Sequence, residues 1–132
     1  MRVTESHTTK VLVVVEDDRD MRTLIRITLE RDPRLEVVGE ASSADEAVAL
    51  VQTAEPGLII LDHAIEGALT GLEAAPQLKA AAPTAKILLF TAYDLAAEAR
   101  AEPAIDGYLR KDDFHLLLPT VGRLLALAPL AS

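Results

Sequence analysis

The chain has 132 residues, half of them hydrophobic and 26% charged, a globular balance with enough apolar material for one core. It contains no cysteine, which excludes disulfides and thiolate metal sites. A net charge of −8 repels nucleic-acid phosphates, and an aromatic content of 3% leaves little to build a base-stacking surface from, so direct nucleic-acid binding is not expected. No apolar run approaches the roughly 20 residues of a membrane helix, and Met1 to Lys10 carries no signal-peptide core, which points to a cytoplasmic protein without a membrane partner.

Short apolar runs alternate with longer amphipathic stretches, the pattern of repeated βα units around a parallel sheet. Val11 to Val15 is β-branched and unbroken, as for a central strand covered on both faces. Asp18 or Asp20 caps a helix through about Arg31, with Met21, Leu24, Ile25, Thr28 and Leu29 on its buried stripe, and Pro33 ends it. Leu35 to Gly39 reads as the second strand. Ser42 or Ser43 caps the next helix, which buries Ala47, Val48 and Val51 and stops before Pro56.

Leu58 to Leu61 is the third strand, followed by a loop and a helix over Gly71 to Ala81 that Pro76 should weaken or kink. Lys86 to Phe90 is the fourth strand, and a short helix over Asp94 to Ala101 stops near Pro103. Gly107 to Arg110 is the fifth strand. A last helix between Phe114 and Leu127 turns Leu117, Val121, Leu124 and Leu125 to the core. The expected division is a disordered arm over 1–9, one domain over 10–127 and a tail over 128–132.

In an open parallel sheet, ligands bind beyond the carboxyl ends of the strands, where the strand order reverses. The first strand runs into Glu16-Asp17-Asp18, the third into Asp62, the fourth into Thr91 and the fifth into Lys111. Singly, such acids read as solvated turns or caps, Thr91 as a cap and Lys111 as a surface residue. Together, carboxylates, a hydroxyl and an ammonium group complement a metal ion and a phosphoryl group. Converging acids repel by roughly 4 kcal/mol per pair at 4 Å and an effective dielectric of 20. With oxygen donors only, the neutralising ion is hard, and Mg²⁺ (or Mn²⁺) suits the site. Asp62, alone at its strand end, is the better nucleophile, and Glu16 and Asp17 would hold the metal.

At these residues the sequence resembles the receiver domain of two-component response regulators, from Lys10 to about Leu127. VLVVVEDDRDMR resembles the family's first strand and its acidic pair, Glu16 and Asp17. EPGLIILD resembles the strand ending in the phosphoacceptor, Asp62. ILLFTAYD carries the switch hydroxyl at Thr91, and GYLRK carries the switch aromatic at Tyr108 and the lysine at Lys111. The resemblance implies a flavodoxin-like α/β fold: a doubly wound parallel sheet of five strands in order 2-1-3-4-5, with helices on both faces. It implies that Asp17, Asp62 and the backbone carbonyl of Ala64 bind Mg²⁺ directly, with Glu16 acting through water. Lys111 and Thr91 would contact the phosphoryl oxygens, and Ala64 and Tyr93 are tuning candidates.

By the same resemblance, a sensor histidine kinase or phosphotransfer protein supplies the phosphate to a single-domain, CheY-like regulator. Its signal passes to a downstream protein through the face formed by the fourth helix, fifth strand and fifth helix. The chain would be a monomer or a phosphorylation-dependent dimer, and not an enzyme beyond its own phosphorylation and dephosphorylation. Three departures stand out: Glu66 replaces a common proline, Gly71 comes one residue late in HAIEGALTG, and Asp112 follows Lys111 where proline is usual. The fourth helix is expected to be truncated. The alternative to a phosphorylated switch is a receiver-like interaction module that works without phosphate. An aspartyl phosphatase is disfavoured by Ala64 where such enzymes carry a second acid, and a flavodoxin-like cofactor binder by the acidic EDDRD turn. His63 reads as a solvent-facing loop residue, His7 as part of the arm and His115 as the start of the last helix.

Overall fold

The computed structural model describes residues 8–15 and 18–129. Five parallel strands form one sheet in the order β2-β1-β3-β4-β5: β1 (Thr9–Val14), β2 (Leu35–Ala41), β3 (Leu58–Leu61), β4 (Lys86–Thr91) and β5 (Gly107–Arg110). This is the expected doubly wound order. Each crossover carries a helix: α1 (Arg19–Leu29), α2 (Ala44–Ala54), α3 (Gly71–Ala81) and α4 (Ala96–Ala101), with α5 (Leu117–Leu124) last. The first strand starts at Thr9, inside the span expected to be the arm; His7 lies outside the described residues. None of the helices among the described residues is long and apolar enough to cross a membrane.

Burial on both faces of the sheet explains the unbroken apolar strands. Val11, Val13, Leu58, Ile60, Leu88 and Phe90 point to one side, where Ile25 and Leu29 of α1 and Leu117 and Val121 of α5 cover them. Leu12, Val14, Ile59, Leu61, Ile87 and Leu89 point to the other, under Ala47 and Val51 of α2, Ala74, Ala75 and Leu78 of α3, and Ala99 of α4. The alanines let that second layer approach closely.

One irregularity has a large local effect. The register of β1 against β2 shifts between Val11, which pairs with Val37, and Leu12, which pairs with Gly39. Val38 is the extra residue of a bulge, and an added residue in a strand exchanges its faces. Leu35 and Val37 accordingly pack with α1 and α5, whereas Ala41 packs with α2. Glu40 is thereby turned to the α1 side, where Arg22 and Arg26 meet it. The strand runs past the expected end at Gly39 to Ala41, carried by this change of face.

Other boundaries moved for local reasons. Asp18 and Ser43 are the caps of α1 and α2, each side chain accepting a bond from the backbone N–H three residues on. Leu24 is exposed rather than buried, and Met21 only half-buried, so the stripe of α1 narrows to Ile25, Thr28 and Leu29. Pro76 does not interrupt α3, which Ala74, Ala75 and Leu78 anchor on the sheet while Pro76 sits on the exposed side. The last helix divides: a 3₁₀ segment spans Lys111–Leu116, Asp113 leaves helical geometry, and the α-helix begins at Leu117. Pro119 then falls in the first turn, where its missing N–H has no intrahelical partner to lose. His115 lies in the 3₁₀ segment.

The α1–β2 turn rests on Asp32, a buried carboxylate that accepts bonds from the backbone N–H and the guanidinium of Arg34. Those side-chain bonds hold its carboxyl below the ordinary value of 3.8, against the opposing effect of burial. The unfolded chain therefore binds this proton more readily, and the stabilisation is present above the ordinary value and lost as pH falls through the lowered one. Asp32→Asn is expected to lower the melting temperature at pH 7 and to flatten the acid limb of stability against pH, as measured by thermal unfolding from pH 7 down to pH 2.5.

Candidate functional site

Parallel strands present all their carboxyl ends at one edge, and the site forms there. Asp62 follows β3 directly and is only 3% exposed. Its backbone N–H donates to the carbonyl of Val14, which extends the β1–β3 ladder by one bond and fixes the start of the side chain. Lys111 follows β5, two strands away, and its Nζ lies 2.6 Å from Asp62 Oδ2. Asp112 in the following position does not divert that ammonium; it pairs instead with Arg110. The second oxygen, Oδ1, accepts a long bond of 3.3 Å from the N–H of Ala64 and keeps acceptor capacity in reserve.

A cavity of about 190 Å³ opens over this pair, lined by Val15, Asp18, Asp62, Ala64, Ala92, Tyr93 and Lys111. At about 30 Å³ per water it has room for a small hydrated ion. Its carboxylate, carbonyl and ammonium groups fit a hard cation and an anionic substrate. Among the described residues no group of three or more His, Cys, Asp or Glu forms a metal-binding cluster. Glu16 and Asp17, the expected acidic ligands, lie outside those residues.

Thr91, at the end of β4, is fully buried. It stands beside the cavity rather than in its wall, its hydroxyl accepting a long bond of 3.4 Å from the N–H of Tyr93. Tyr93 is 53% exposed and lines the cavity, and its ring meets the His63 ring edge-on at 5.7 Å. His63 is thus not solvent-facing: it is half-buried, and its Nδ1 is buried without a partner among the described residues. Tyr108 reaches the same segment from β5, where its hydroxyl donates to the Tyr93 carbonyl at 2.7 Å and accepts from the Leu95 N–H at 2.9 Å. No side chain caps the six-residue α4, so this phenol takes one of its orphan donors.

The loop after β3 is held at both ends. Glu66 donates its N–H to the Ser42 carbonyl beside the start of α2, and Gly67 turns the chain at φ +96°. Thr70 and Glu73 close a capping box on α3. Gly71 packs so tightly that a Cβ there would lie 2.1 Å from the Asp62 carbonyl oxygen. The glycine is required by close backbone approach.

Of the expected residues, Asp62, Ala64, Lys111 and Tyr93 share the cavity wall, and Thr91 and Tyr108 flank it. Asp18 lines the cavity while capping α1. Arg22 escaped the sequence reading, since an arginine in an amphipathic helix carries no signal of its own. Its guanidinium donates to the Val15 carbonyl at 2.8 Å, at the cavity edge.

The family model for the response regulator receiver domain matches residues 12–119. The nitrate/nitrite response regulator protein NarP of Escherichia coli is 34% identical over 113 residues, covering 83% of this chain and 52% of that protein. Response regulator protein VraR of Staphylococcus aureus is 36% identical over 107 residues, covering 79% and 50%. The chain therefore spans about half the length of the curated relatives it matches. Among solved structures, response regulator protein TrrA of Thermotoga maritima, in complex with Mg²⁺–BeF, superimposes with a TM-score of 0.75 at 30% identity, covering 89% of this chain and 99% of that one. A LuxR-family two-component response regulator from Aurantimonas gives 0.76 at 28% identity, covering 93% and 89%.

Two substitutions test the geometry. Gly71→Ala forces its Cβ into the Asp62 backbone and is expected to cost about 1–3 kcal/mol, as overpacking does, measurable by denaturant unfolding. Tyr108→Phe removes both hydroxyl bonds and should leave the melting temperature within a few degrees of wild type, while speeding amide hydrogen exchange at Leu95.

Proposed function

Because the chain belongs to the response regulator receiver family, we propose that it is a phosphorylation-driven switch whose phosphoacceptor is Asp62. The observation that carries this reading is the part-buried Asp62–Lys111 pair, joined across β3 and β5 at the carboxyl edge of the sheet, both residues lining the cavity that opens there. An Asp62 carboxylate oxygen attacks phosphorus in line. As the new O–P bond forms, the P–N bond to the donor histidine breaks, and the leaving imidazole takes up a proton. Lys111 shifts from the carboxylate to the phosphoryl oxygens, where the Thr91 hydroxyl joins it, so placement and electrostatics supply most of the catalysis.

Glu16, Asp17, Asp62 and the Ala64 carbonyl would hold Mg²⁺ or Mn²⁺, which supplies charge neutralisation for the carboxylates and the phosphoryl oxygens. The protein catalyses only its own phosphorylation and dephosphorylation. Phosphate comes from a histidine kinase or phosphotransfer protein in the cytoplasm. Thr91, Tyr93 and Tyr108 form a bonded path from the cavity to α4, which supports the α4-β5-α5 face as the surface a downstream protein reads. Ala64 and Tyr93, in the cavity wall, govern water access to the phosphorylated carboxyl.

The test is intact-protein mass after incubation with phosphoramidate. Native chain is expected to gain one phosphoryl mass with Mg²⁺ and none with excess chelator, and Asp62→Ala none in either case. Absence of an adduct from native chain, under rapid quench and with a histidine-kinase donor, would replace this reading with that of a phosphate-independent interaction module.

A further inference from the structure

His63 follows Asp62 in the chain but lies outside the cavity wall. Its backbone is clamped: the carbonyl accepts the Gly71 N–H at 2.9 Å, and a Cβ built on Gly71 would lie 2.9 Å from the His63 Cα. A main chain held so closely leaves the imidazole little freedom beyond its own side-chain torsions. Nδ1 is buried without a partner among the described residues, so packing rather than a bond at that nitrogen sets where the ring lies. What it packs against is the Tyr93 ring, with centroids 5.7 Å apart and planes inclined at 74°, the edge-to-face arrangement that aromatic pairs prefer.

Tyr93 is held differently. Its N–H donates to the Thr91 hydroxyl and its carbonyl accepts from Tyr108, and both bonds fix the main chain while leaving the side-chain torsions free. A side chain on a residue 53% exposed changes rotamer within nanoseconds unless something packs against it. His63 supplies that contact from beyond the end of β3, the strand next to β4.

Tyr93 shares the cavity wall with Asp62, Ala64 and Lys111. We propose that His63 is a positioning residue that holds the Tyr93 ring over the mouth of this cavity and so slows the arrival of water at phosphorylated Asp62. This rests on the phosphoacceptor reading given above. In the hydrolysis concerned, the water oxygen bonds to phosphorus, the O–P bond to Asp62 breaks, the carboxylate is regenerated, and both protons of the water leave with the orthophosphate.

Three roles for His63 separate by substitution. A residue that only packs the loop would move the melting temperature and not the phosphoryl lifetime. An imidazole acting on water directly would be lost equally in His63→Phe and His63→Ala. A ring that positions another ring is replaced by phenylalanine, and has nothing left to position once Tyr93 is leucine.

The experiment follows decay of the phosphorylated full chain by intact-protein mass after phosphoramidate is removed, with Mg²⁺ present and folding checked by circular dichroism. The proteins are wild type, His63→Ala, His63→Phe, Tyr93→Leu and the double variant His63→Ala/Tyr93→Leu. His63→Ala is expected to shorten the lifetime about threefold, within the roughly two- to tenfold shift that loss of one aromatic contact allows. His63→Phe should recover most of that loss, and His63→Ala should add nothing in the Tyr93→Leu background. In the unphosphorylated chain, which has two tyrosines and no tryptophan, acrylamide quenching of tyrosine fluorescence should rise in His63→Ala and return toward wild type in His63→Phe. Folded His63→Ala with unchanged lifetime or unchanged quenching overturns the proposal. So does an equal loss in His63→Phe, or an effect of His63→Ala that survives in Tyr93→Leu. Should His63→Ala fail to fold, His63→Leu, which keeps bulk without an aromatic edge, is judged by the same criteria. Native chain that takes up no phosphate on Asp62 would remove the phosphoacceptor reading and this inference with it; a phosphorylated chain indifferent to His63 removes this inference alone.

Discussion

A carboxylate 3% exposed at the end of an apolar strand is tolerable only because a lysine ammonium sits 2.6 Å away. Breaking a buried pair by removing one partner typically costs about 3–5 kcal/mol, because the remaining charge is stranded. The pair also spans two strands that are not neighbours, with β4 between them. The geometry of the whole sheet edge is thereby committed to one arrangement: β3 must end where the Val14 carbonyl can receive the Asp62 N–H, and β5 must end where Lys111 reaches inward. On the function proposed above, the same charge pairing that makes this arrangement stable would make it responsive, since an incoming phosphoryl group would compete for the lysine.

Around that edge the supports are backbone contacts rather than side-chain packing. Gly71 lies against the Asp62 carbonyl, Ala64 donates to Oδ1, Arg22 holds the Val15 carbonyl, and Tyr108 holds the Tyr93 carbonyl and the Leu95 N–H. Main-chain groups at strand ends lose their ladder partners and must be satisfied somehow. Here the partners come from α1, β5 and the loop before α3, so each helix layer is fastened to the site it surrounds. Replacement of the common proline by Glu66 fits this scheme: the loop is tied down by a backbone bond to Ser42, one that needs the N–H a proline would lack.

The family relationship covers the receiver portion, and the curated relatives run to about twice the matched length. Around the sheet edge lie a six-residue α4, a 3₁₀ segment leading out of Lys111, and a histidine set edge-on against Tyr93. The histidine ring and the start of α4 both meet the Tyr93–Tyr108 segment, beside the surface proposed for readout.

Periodicity alone determined the five βα units, because strands covered on both faces must be unbroken apolar runs, and Leu58–Leu61, Gly107–Arg110 and Gly71–Ala81 agree with the expected boundaries residue for residue. Asp62 and Thr91 were legible as the first polar groups after their apolar runs and Lys111 as the residue after the fifth strand, whereas Ala64, Tyr93 and Tyr108 came only from the family resemblance. Tertiary structure decided what no single segment encodes. Whether Leu24 is buried depends on how α1 rolls against the sheet, and the face of Glu40 depends on one extra residue in a strand pairing. Gly71 is required by a backbone nine residues earlier, His63 is set by the ring of Tyr93, and Arg22 is recruited by a carbonyl beyond the reach of the ladder. Sequence patterns record which residues prefer to be buried, whereas these contacts depend on distances between elements, fixed only when the layers close on one another.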